Sequence, residues 1–284
     1  MKLPPESELR SLARLLDDED PRSLELVRKQ ILLVGEPILP FLQELEGQPG
    51  ETAERAAAVA RELRFKRLRR EFAAVANAAE PDLEEGALLL SRFAYPDIRF
   101  ETYSTWIDHV AMQVQDALPP EADTVAIFQR LNSHLFQALG FCGNEAHFFD
   151  PDNSYLSRVI DTRRGVPVSL SALYLLLAKR LNLPAYGVAA PGHFLVGLRA
   201  GSHSCYLDPY HRGRLLDLNE VRRMLLRSGY EFRPEYVVPC SPRDILATML
   251  RNLIAIYDKS GHTAQAEMLS SLVEILLTAR SARR

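Results

Sequence analysis

One stretch of this sequence, residues 161–210, constrains the fold more than any other, because its hydrophobic periodicity changes partway along. Its central part, 169–181, is an apolar run with the length and spacing of a buried helix. Three shorter segments follow that are typical of strands: 185–190, 194–198 and 204–207. The stretch therefore predicts an α+β fold in which one helix precedes a small antiparallel sheet. His193 and Asp208 fall at strand positions of that sheet, so an imidazole and a carboxylate could meet there.

Composition and charge narrow the class of protein. With 284 residues, the chain can form one large domain or two to three small ones. No segment approaches the roughly 18 consecutive apolar residues of a membrane span, and the N-terminus lacks the apolar core of a secretory signal. We therefore expect a cytoplasmic protein with no membrane partner. The three cysteines are widely spaced and form no CxxC pair, which predicts reduced thiols rather than disulfides or a structural zinc site.

Residues 1–78 are predicted to be helical throughout. Apolar residues recur every three or four positions in ESELRSLARLLDDED and RSLELVRKQILLVG, and an Asp20-Pro21 pair separates the two helices. This pattern resembles one HEAT-type repeat, and a single repeat cannot bury its apolar face alone. A basic run, 64–70, lies on the next helix. The net charge of -3 and the lack of interleaved aromatic residues favour a solvated helix face over a nucleic-acid contact.

A middle region, 79–238, and a C-terminal region, 239–284, complete the predicted organisation. Amphipathic helices come first in the middle region, followed by a long polar loop and then by the helix and strands described above. The C-terminal region predicts two helices joined by a turn at Gly261, which is a TPR-like pair. We thus expect a mostly helical α+β protein with a HEAT-like N-terminal layer, a core with a small antiparallel sheet, and a TPR-like hairpin.

Several segments, in this order, carry a resemblance to a known family: LFQALGFCGN, FFDPDNSYLSRVIDTRRGVPVSLSALYLLLAKRLNLP, GVAAPGHFLVGL, YLDPY and RDILATMLRNLIAIY. Together they resemble the bacterial SirB-one branch of the transglutaminase-like superfamily, which is also seen in a eukaryotic F-box protein. The resemblance covers 80–260 and implies a transglutaminase-like, cysteine-protease-like core. It also implies a thiolate at a helix start, where the helix dipole lowers the pKa of the thiol, and a His held by an Asp.

The resemblance gives the His and Asp roles to His193 and Asp208, but the place of the cysteine, 167–169, holds Pro, Val and Ser. Ser169, in the first turn of the helix, is typical of an N-cap. It is also one alternative nucleophile, because a Ser–His–Asp set is recognised by geometry and not by fold. Cys142, in the GFCGN segment, is the other alternative, although a free cysteine is more often an inert apolar residue.

The long polar loop carries its own candidate network. Four polar residues are candidates for organising this loop around the helix start: Asn144, Asp150, Asn153 and Arg164. Arg163 and Arg164 are each able to pair with Asp150 or Asp161 through charge-assisted hydrogen bonds. The network predicts an ordered loop beside the candidate site.

Two groups of His and Asp residues raise the question of a metal site. These are His147 with Asp150 and Asp152, and His203 with Asp208 and His211. Neither group matches a ligand spacing such as HExxH or the EF-hand pattern. We therefore expect solvated polar loops, with no metal and no cofactor.

These observations favour a catalytically idle transglutaminase-like protein that acts as a protein- or peptide-binding regulatory module. The missing cysteine is the reason to expect no enzyme activity. The alternative is a hydrolase or acyltransferase in which Ser169, or Cys142, works with His193 and Asp208.

Overall fold

The computed structural model describes residues 4–200 and 203–281. The polypeptide divides into two units, one up to Glu71 and one from Phe72 onward, and the division falls inside a long helix. The secondary structure is mostly helical with small sheets, as the sequence predicts. None of the described helices is both long and apolar enough to cross a membrane.

The first unit contains four helices or parts of them: α1 (Glu6–Arg14), α2 (Pro21–Val34), α3 (Leu39–Glu46) and most of α4 (Glu51–Asn77). The Asp20 side chain accepts a hydrogen bond from the Ser23 N–H and Pro21 follows it, so α2 begins where the Asp-Pro pair predicts. The apolar faces of these helices meet in one core around Ile31 and Leu42. The HEAT-like assignment remains a prediction.

The basic run of α4, 64–70, makes ion pairs within this unit. Arg67 lies 2.8 Å from Glu71, one helical turn away, and Arg70 lies 2.8 Å from Glu36. Exposed ion pairs of this kind contribute little to stability. They nevertheless engage the arginine charges that would otherwise be available to bind the phosphates of a nucleic acid. The pairing supports the prediction of a solvated helix face.

The second unit contains the remaining helices: α5 (Leu83–Ala94), α6 (Phe100–Asp116), α7 (Thr124–Asn132), α8 (Leu156–Thr162), α9 (Pro167–Arg180), α10 (Leu218–Arg227), α11 (Pro242–Lys259) and α12 (Thr263–Ser281). The helix predicted over 169–181 is α9, which begins two residues earlier. It packs against α5, α6, α8, α11 and the sheet, and it is buried on nearly every side. A helix surrounded in this way needs the apolar run that its sequence provides.

The sheet of the second unit has four strands: β3 (Ala185–Val188), β4 (Leu195–Ala200), β5 (His203–Asp208) and β6 (Arg214–Leu216). They are antiparallel and follow one another in chain order. The last strand is an addition to the three predicted ones. Two very short strands, β1 (Cys142–Gly143) and β2 (Arg164–Gly165), form a separate parallel pair within the polar loop.

The helices α11 and α12 form the predicted C-terminal hairpin. They pack against each other, and α11 also packs against α5 and α9. Ser241 caps α11, because its hydroxyl accepts a hydrogen bond from the Asp244 N–H. The hairpin therefore belongs to the core of the second unit, while its TPR-like character remains a prediction.

Candidate functional site

His193 and Asp208 meet at one end of the sheet. His193 lies in the turn before β4 and not in a strand as predicted, because its N–H donates to the Ala190 carbonyl at 3.0 Å and closes the turn. Asp208 is the last residue of β5, the strand that pairs with β4. The Nε2 atom of His193 lies 2.9 Å from Oδ2 of Asp208, within hydrogen-bond distance. The Asp208 side chain is only 4% exposed.

A second imidazole contacts the same carboxylate oxygen. Nδ1 of His211 lies 2.7 Å from Oδ2 of Asp208, while the N–H groups of Tyr210 and His211 donate to Oδ1. The Gly213 N–H donates to the Asp208 carbonyl and closes the turn that brings His211 back. The sequence grouped His211 with Asp208 and His203, whereas the structure brings it to His193. The side chain of His203 lies outside the described residues.

The buried carboxylate of Asp208 remains an anion in this setting. Burial acts to raise the pKa of Asp208, but hydrogen bonds and charge interactions with His193 and His211 outweigh burial and hold the pKa below its ordinary value. Within the part of the chain that the structure describes, these imidazoles are its ion-pair partners, and no Lys or Arg joins them.

The hydroxyl of Ser169 makes all its hydrogen bonds with the backbone. It donates to the Asn153 carbonyl at 2.6 Å and accepts from the Val166 N–H at 3.1 Å. Val166 is the N-cap of α9, so Ser169 is the third helical residue and not the N-cap that the sequence suggests. The Ser169 side chain is fully buried. In the described residues, no hydrogen bond joins Ser169 to His193.

Cys142 lies on β1, near the site but on a different element from α9. Its N–H donates to the Arg163 carbonyl, and the residue is 8% exposed. The next residue, Gly143, donates to the Tyr210 carbonyl at 2.8 Å and packs against the Tyr210 ring. That ring also meets the imidazole of His193 edge-on, at 6.1 Å between centroids. Burial, together with nearby Glu145, Asp208 and Cys142, raises the pKa of the Tyr210 phenol.

The polar loop is organised around Asn153. Its side chain accepts from Asn144 at 3.0 Å and donates to the His147 carbonyl at 2.7 Å. The Asn153 carbonyl accepts from both Val166 N–H and the Ser169 hydroxyl, which fixes the loop to the start of α9. Asp150 accepts from the Asp152 N–H and caps a short turn.

The two arginines of the predicted network have different partners from those expected. Arg163 donates to the Leu139 carbonyl, and Arg164 donates to the Gly140 carbonyl, at 2.9 and 3.1 Å. Arg158 instead pairs with Asp152 at 3.0 Å. Arg163 adopts a left-handed conformation at the end of α8, which directs the chain into β2. The two arginines therefore join the end of the polar loop to the residues just before its start.

Exposed aromatic side chains lie beside the His–Asp cluster, and the sequence analysis did not include them. Phe148 contacts Tyr210 at 6.1 Å between centroids, and Phe149 contacts Phe148 at 5.3 Å. Phe149 is 52% exposed, and the Lys259 ammonium lies over its ring. The adjacent pair of phenylalanines in a polar loop is the signal that could have indicated this surface. We call Phe148, Phe149 and Tyr210 the aromatic rim.

The fold and the sequence together define the class of protein. The family model of the transglutaminase-like superfamily matches residues 101–251, just over half of the 284-residue chain. The chain belongs to the transglutaminase-like superfamily, and within it to the UPF0162 proteins. No solved structure shows a significant match to the chain.

Similar proteins occur in bacteria and in animals. A UPF0162 protein of Xylella fastidiosa strain 9a5c is 35% identical over 63% of this chain and 66% of its own length. A UPF0162 protein of Pseudomonas aeruginosa is 30% identical over 66% of this chain and 68% of its own length. The F-box only protein 21 of Homo sapiens is 24% identical over 53% of this chain, but over only 25% of its own length. The chain thus spans slightly less than two thirds of the Xylella relative.

Proposed function

We propose that this chain is a catalytically idle transglutaminase-like protein that binds a protein or peptide partner as a regulatory module. The observation that carries the proposal is the state of Ser169. Its hydroxyl is fully buried and hydrogen-bonded to backbone groups on both sides of the helix start. Ser169, the hydroxyl-bearing residue at the expected cysteine position, therefore has hydrogen bonds that stabilise the helix start.

A nucleophile must reach both its general base and the substrate carbonyl. Ser169 would have to leave the Asn153 carbonyl and emerge from a fully buried position before either contact could form. Pro167 and Val168 offer no nucleophilic atom. These features support a scaffold that kept the His–Asp pair while its helix start took on a structural role.

The aromatic rim supports partner binding. Exposed aromatic side chains supply large apolar contact area with few rotatable bonds, and they are enriched at protein interfaces. A cation also lies beside the aromatic rim, because the Lys259 ammonium is 3.3 Å from the centroid of the Phe149 ring. A peptide with an apolar or aromatic anchor and an acidic neighbour fits this combination.

The length of the similar region also supports a module. It makes up a quarter of the human F-box only protein 21, so the same kind of region occurs inside a much longer chain. We propose the SirB-one branch, the HEAT-like and TPR-like helices and a cytoplasmic location as further parts of this assignment. Helical elements of those types commonly frame interaction surfaces.

Two measurements test the idle state. Native protein is treated with a fluorophosphonate, which labels activated serines, and with an iodoacetamide derivative, which labels thiols. We expect neither label to depend on His193: His193→Ala and the matched surface variant His109→Ala should label like the parent. A label on Ser169 or Cys142 that disappears only in His193→Ala would overturn the proposal that the protein is catalytically idle.

Partner binding is tested separately by selecting peptides on the protein from a random display library. We expect Phe149→Ser to weaken a selected peptide at least tenfold in fluorescence polarisation. Met112→Ser is the matched control, because Met112 is 51% exposed and Phe149 52%. Selected peptides that bind both variants equally would contradict a role for the aromatic rim.

A hydrolase or acyltransferase is the second candidate. The 2.9 Å contact between Nε2 of His193 and Asp208 favours it, since a carboxylate that holds one imidazole nitrogen leaves the other nitrogen for a nucleophile. Of the two candidate nucleophiles, Cys142 has the closer structural link to His193. The strand β1, which carries Cys142, adjoins Tyr210, and the Tyr210 ring contacts His193. The labelling experiment separates the two candidates directly.

A further inference from the structure

We propose that His193, Asp208 and His211 form a binding site for one divalent transition-metal ion, of which Zn²⁺ is the representative. Asp208 and the two imidazoles each offer one ligand atom, and all three atoms lie within 4.8 Å of one another. The proposal goes beyond the binding function above, because it gives the retained His and Asp a ligand that requires no nucleophile. It also replaces the sequence-based expectation of no metal.

The spacing of the ligand atoms fits such an ion. The nitrogen atoms of His193 and His211 lie 2.9 and 2.7 Å from Oδ2 of Asp208. Zinc binds imidazole nitrogen and carboxylate oxygen at about 2.0 to 2.2 Å in tetrahedral geometry, so neighbouring ligand atoms around it stand about 3.3 to 3.6 Å apart, slightly farther than in the hydrogen-bonded cluster. Small movements of the side chains would therefore convert the two hydrogen bonds into metal–ligand bonds.

The charge of the cluster favours a cation. Asp208 is a buried anion whose partners within the described residues are two imidazoles, without Lys or Arg. A buried charge is costly unless an opposite charge compensates it. Imidazoles that bind a metal are neutral, so in the metal-bound state the ion would supply the positive charge opposite the carboxylate.

The turn between β5 and β6 preorganises the site. Its backbone N–H groups at Tyr210 and His211 hold Oδ1 of Asp208, which leaves Oδ2 for the imidazoles. Hydrogen-bonded carboxylate ligands of this kind orient the atom that faces the metal. The site is also open on one side, because the His211 side chain is 52% exposed while that of His193 is 14% exposed.

The ligand set indicates the class of ion. Two imidazole nitrogens and one carboxylate oxygen suit transition metals such as zinc, whereas magnesium and calcium prefer oxygen ligands throughout. Three protein ligands leave further positions for water or for a group on a bound partner. The sequence spacing did not reveal the set, because His193 comes from the turn before β4, away from the Asp208–His211 turn.

The test uses the full chain after dialysis against a chelator. Zn²⁺ is titrated into the metal-free protein in competition with a chromophoric chelator. We expect one Zn²⁺ per chain, an affinity at least tenfold lower in His193→Ala and in His211→Ala, and no change in His109→Ala. Co²⁺ in place of Zn²⁺ should give a visible absorption band that His211→Ala alters. Far-UV circular dichroism and urea unfolding check the fold of each variant.

Two outcomes would overturn the proposal. In the first, the metal-free parent binds no Zn²⁺ when the Zn²⁺ concentration equals that of the protein. In the second, both histidine variants bind Zn²⁺ as the parent does. His211→Ala is the decisive variant, because its half-exposed side chain can be removed without opening the core. The result is independent of the labelling experiment, which detects a reactive nucleophile, and of the peptide experiment, which measures partner binding. An idle protein without zinc and a zinc protein without a peptide partner are therefore distinguishable.

Discussion

The Ser169 hydroxyl donates a 2.6 Å hydrogen bond to the carbonyl oxygen of Asn153. This contact joins the start of α9 to the polar loop 16 residues earlier in the chain. The same carbonyl accepts the Val166 N–H at 3.0 Å, so two donors from the helix start converge on one loop residue. The start of α9, where the family resemblance implies a nucleophile, is thus hydrogen-bonded to the polar loop.

Ser169→Ala should lower the free energy of unfolding by about 1 kcal/mol, the net value of one buried hydrogen bond. The loss stays moderate because the Val166 N–H and the Asn153 carbonyl still pair with each other. Urea unfolding of the two proteins measures the difference.

Ser171→Ala is the matched control, since Ser171 is equally buried on the same helix. Its hydroxyl lies 3.5 Å from the Phe194 carbonyl, which is a weak contact. We expect a smaller loss than for Ser169→Ala. Equal losses from the two serines would argue against a special role for the Ser169–Asn153 contact.

Gly213→Ala should destabilise the turn that carries His211. Gly213 has a φ of +70°, which alanine adopts only with strain, and an added Cβ would overlap Asn132 Oδ1 and the Phe136 ring. Gly229→Ala is the control, because Gly229 has a φ of +84° with open space around it. The difference between their urea midpoints isolates the steric overlap, for which we expect about 1 to 3 kcal/mol. Similar midpoints would mean that the turn adjusts freely.

Main elements of both units were predictable from local pattern. The apolar run of α9 and the Asp-Pro start of α2 are local signals, and both helices begin within two residues of the predicted positions. The ion pair between Arg67 and Glu71 is also a local feature, because opposite charges four residues apart lie on the same face of a helix.

The parts that the sequence did not predict depend on long-range pairing. The strand β6 has three residues and only one buried side chain, Leu216, so it carries no alternation to recognise. The role of His211 follows from the turn after β5, and His193 reaches the same carboxylate from the turn before β4. Spacing along the chain cannot reveal a cluster whose members come together through strand pairing.

The Tyr155–Tyr257 pair connects the C-terminal hairpin with the core of the second unit. Their hydroxyl groups lie 2.8 Å apart, and Tyr155 is fully buried. Tyr257→Phe should cost about 1 to 3 kcal/mol, because it leaves the Tyr155 hydroxyl buried without that partner. A double-mutant cycle with Tyr155→Phe checks the coupling: the double variant should lose less stability than the sum of the single variants. Additive losses would show that the two hydroxyl groups act independently.

The Cys240 thiol should react slowly with alkylating reagents at neutral pH. Burial, assisted by the charge of Asp244, raises its pKa to about 11 from an ordinary value of 9.0. Only the thiolate reacts, so at pH 8 its reactive fraction falls to about one in a thousand. Iodoacetamide labelling of Cys240, followed by peptide mass spectrometry, should rise about tenfold per pH unit from 8 to 10.

Urea-denatured protein supplies the control for Cys240, since its thiol then has the ordinary pKa. The sign follows from the raised value: between about pH 9 and pH 11 the denatured chain loses this proton while the folded chain keeps it, so the folded state loses stability across that window. A labelling profile that levels off near pH 9 in the folded protein would contradict the raised pKa. A slow rate that does not change with pH would indicate steric protection instead.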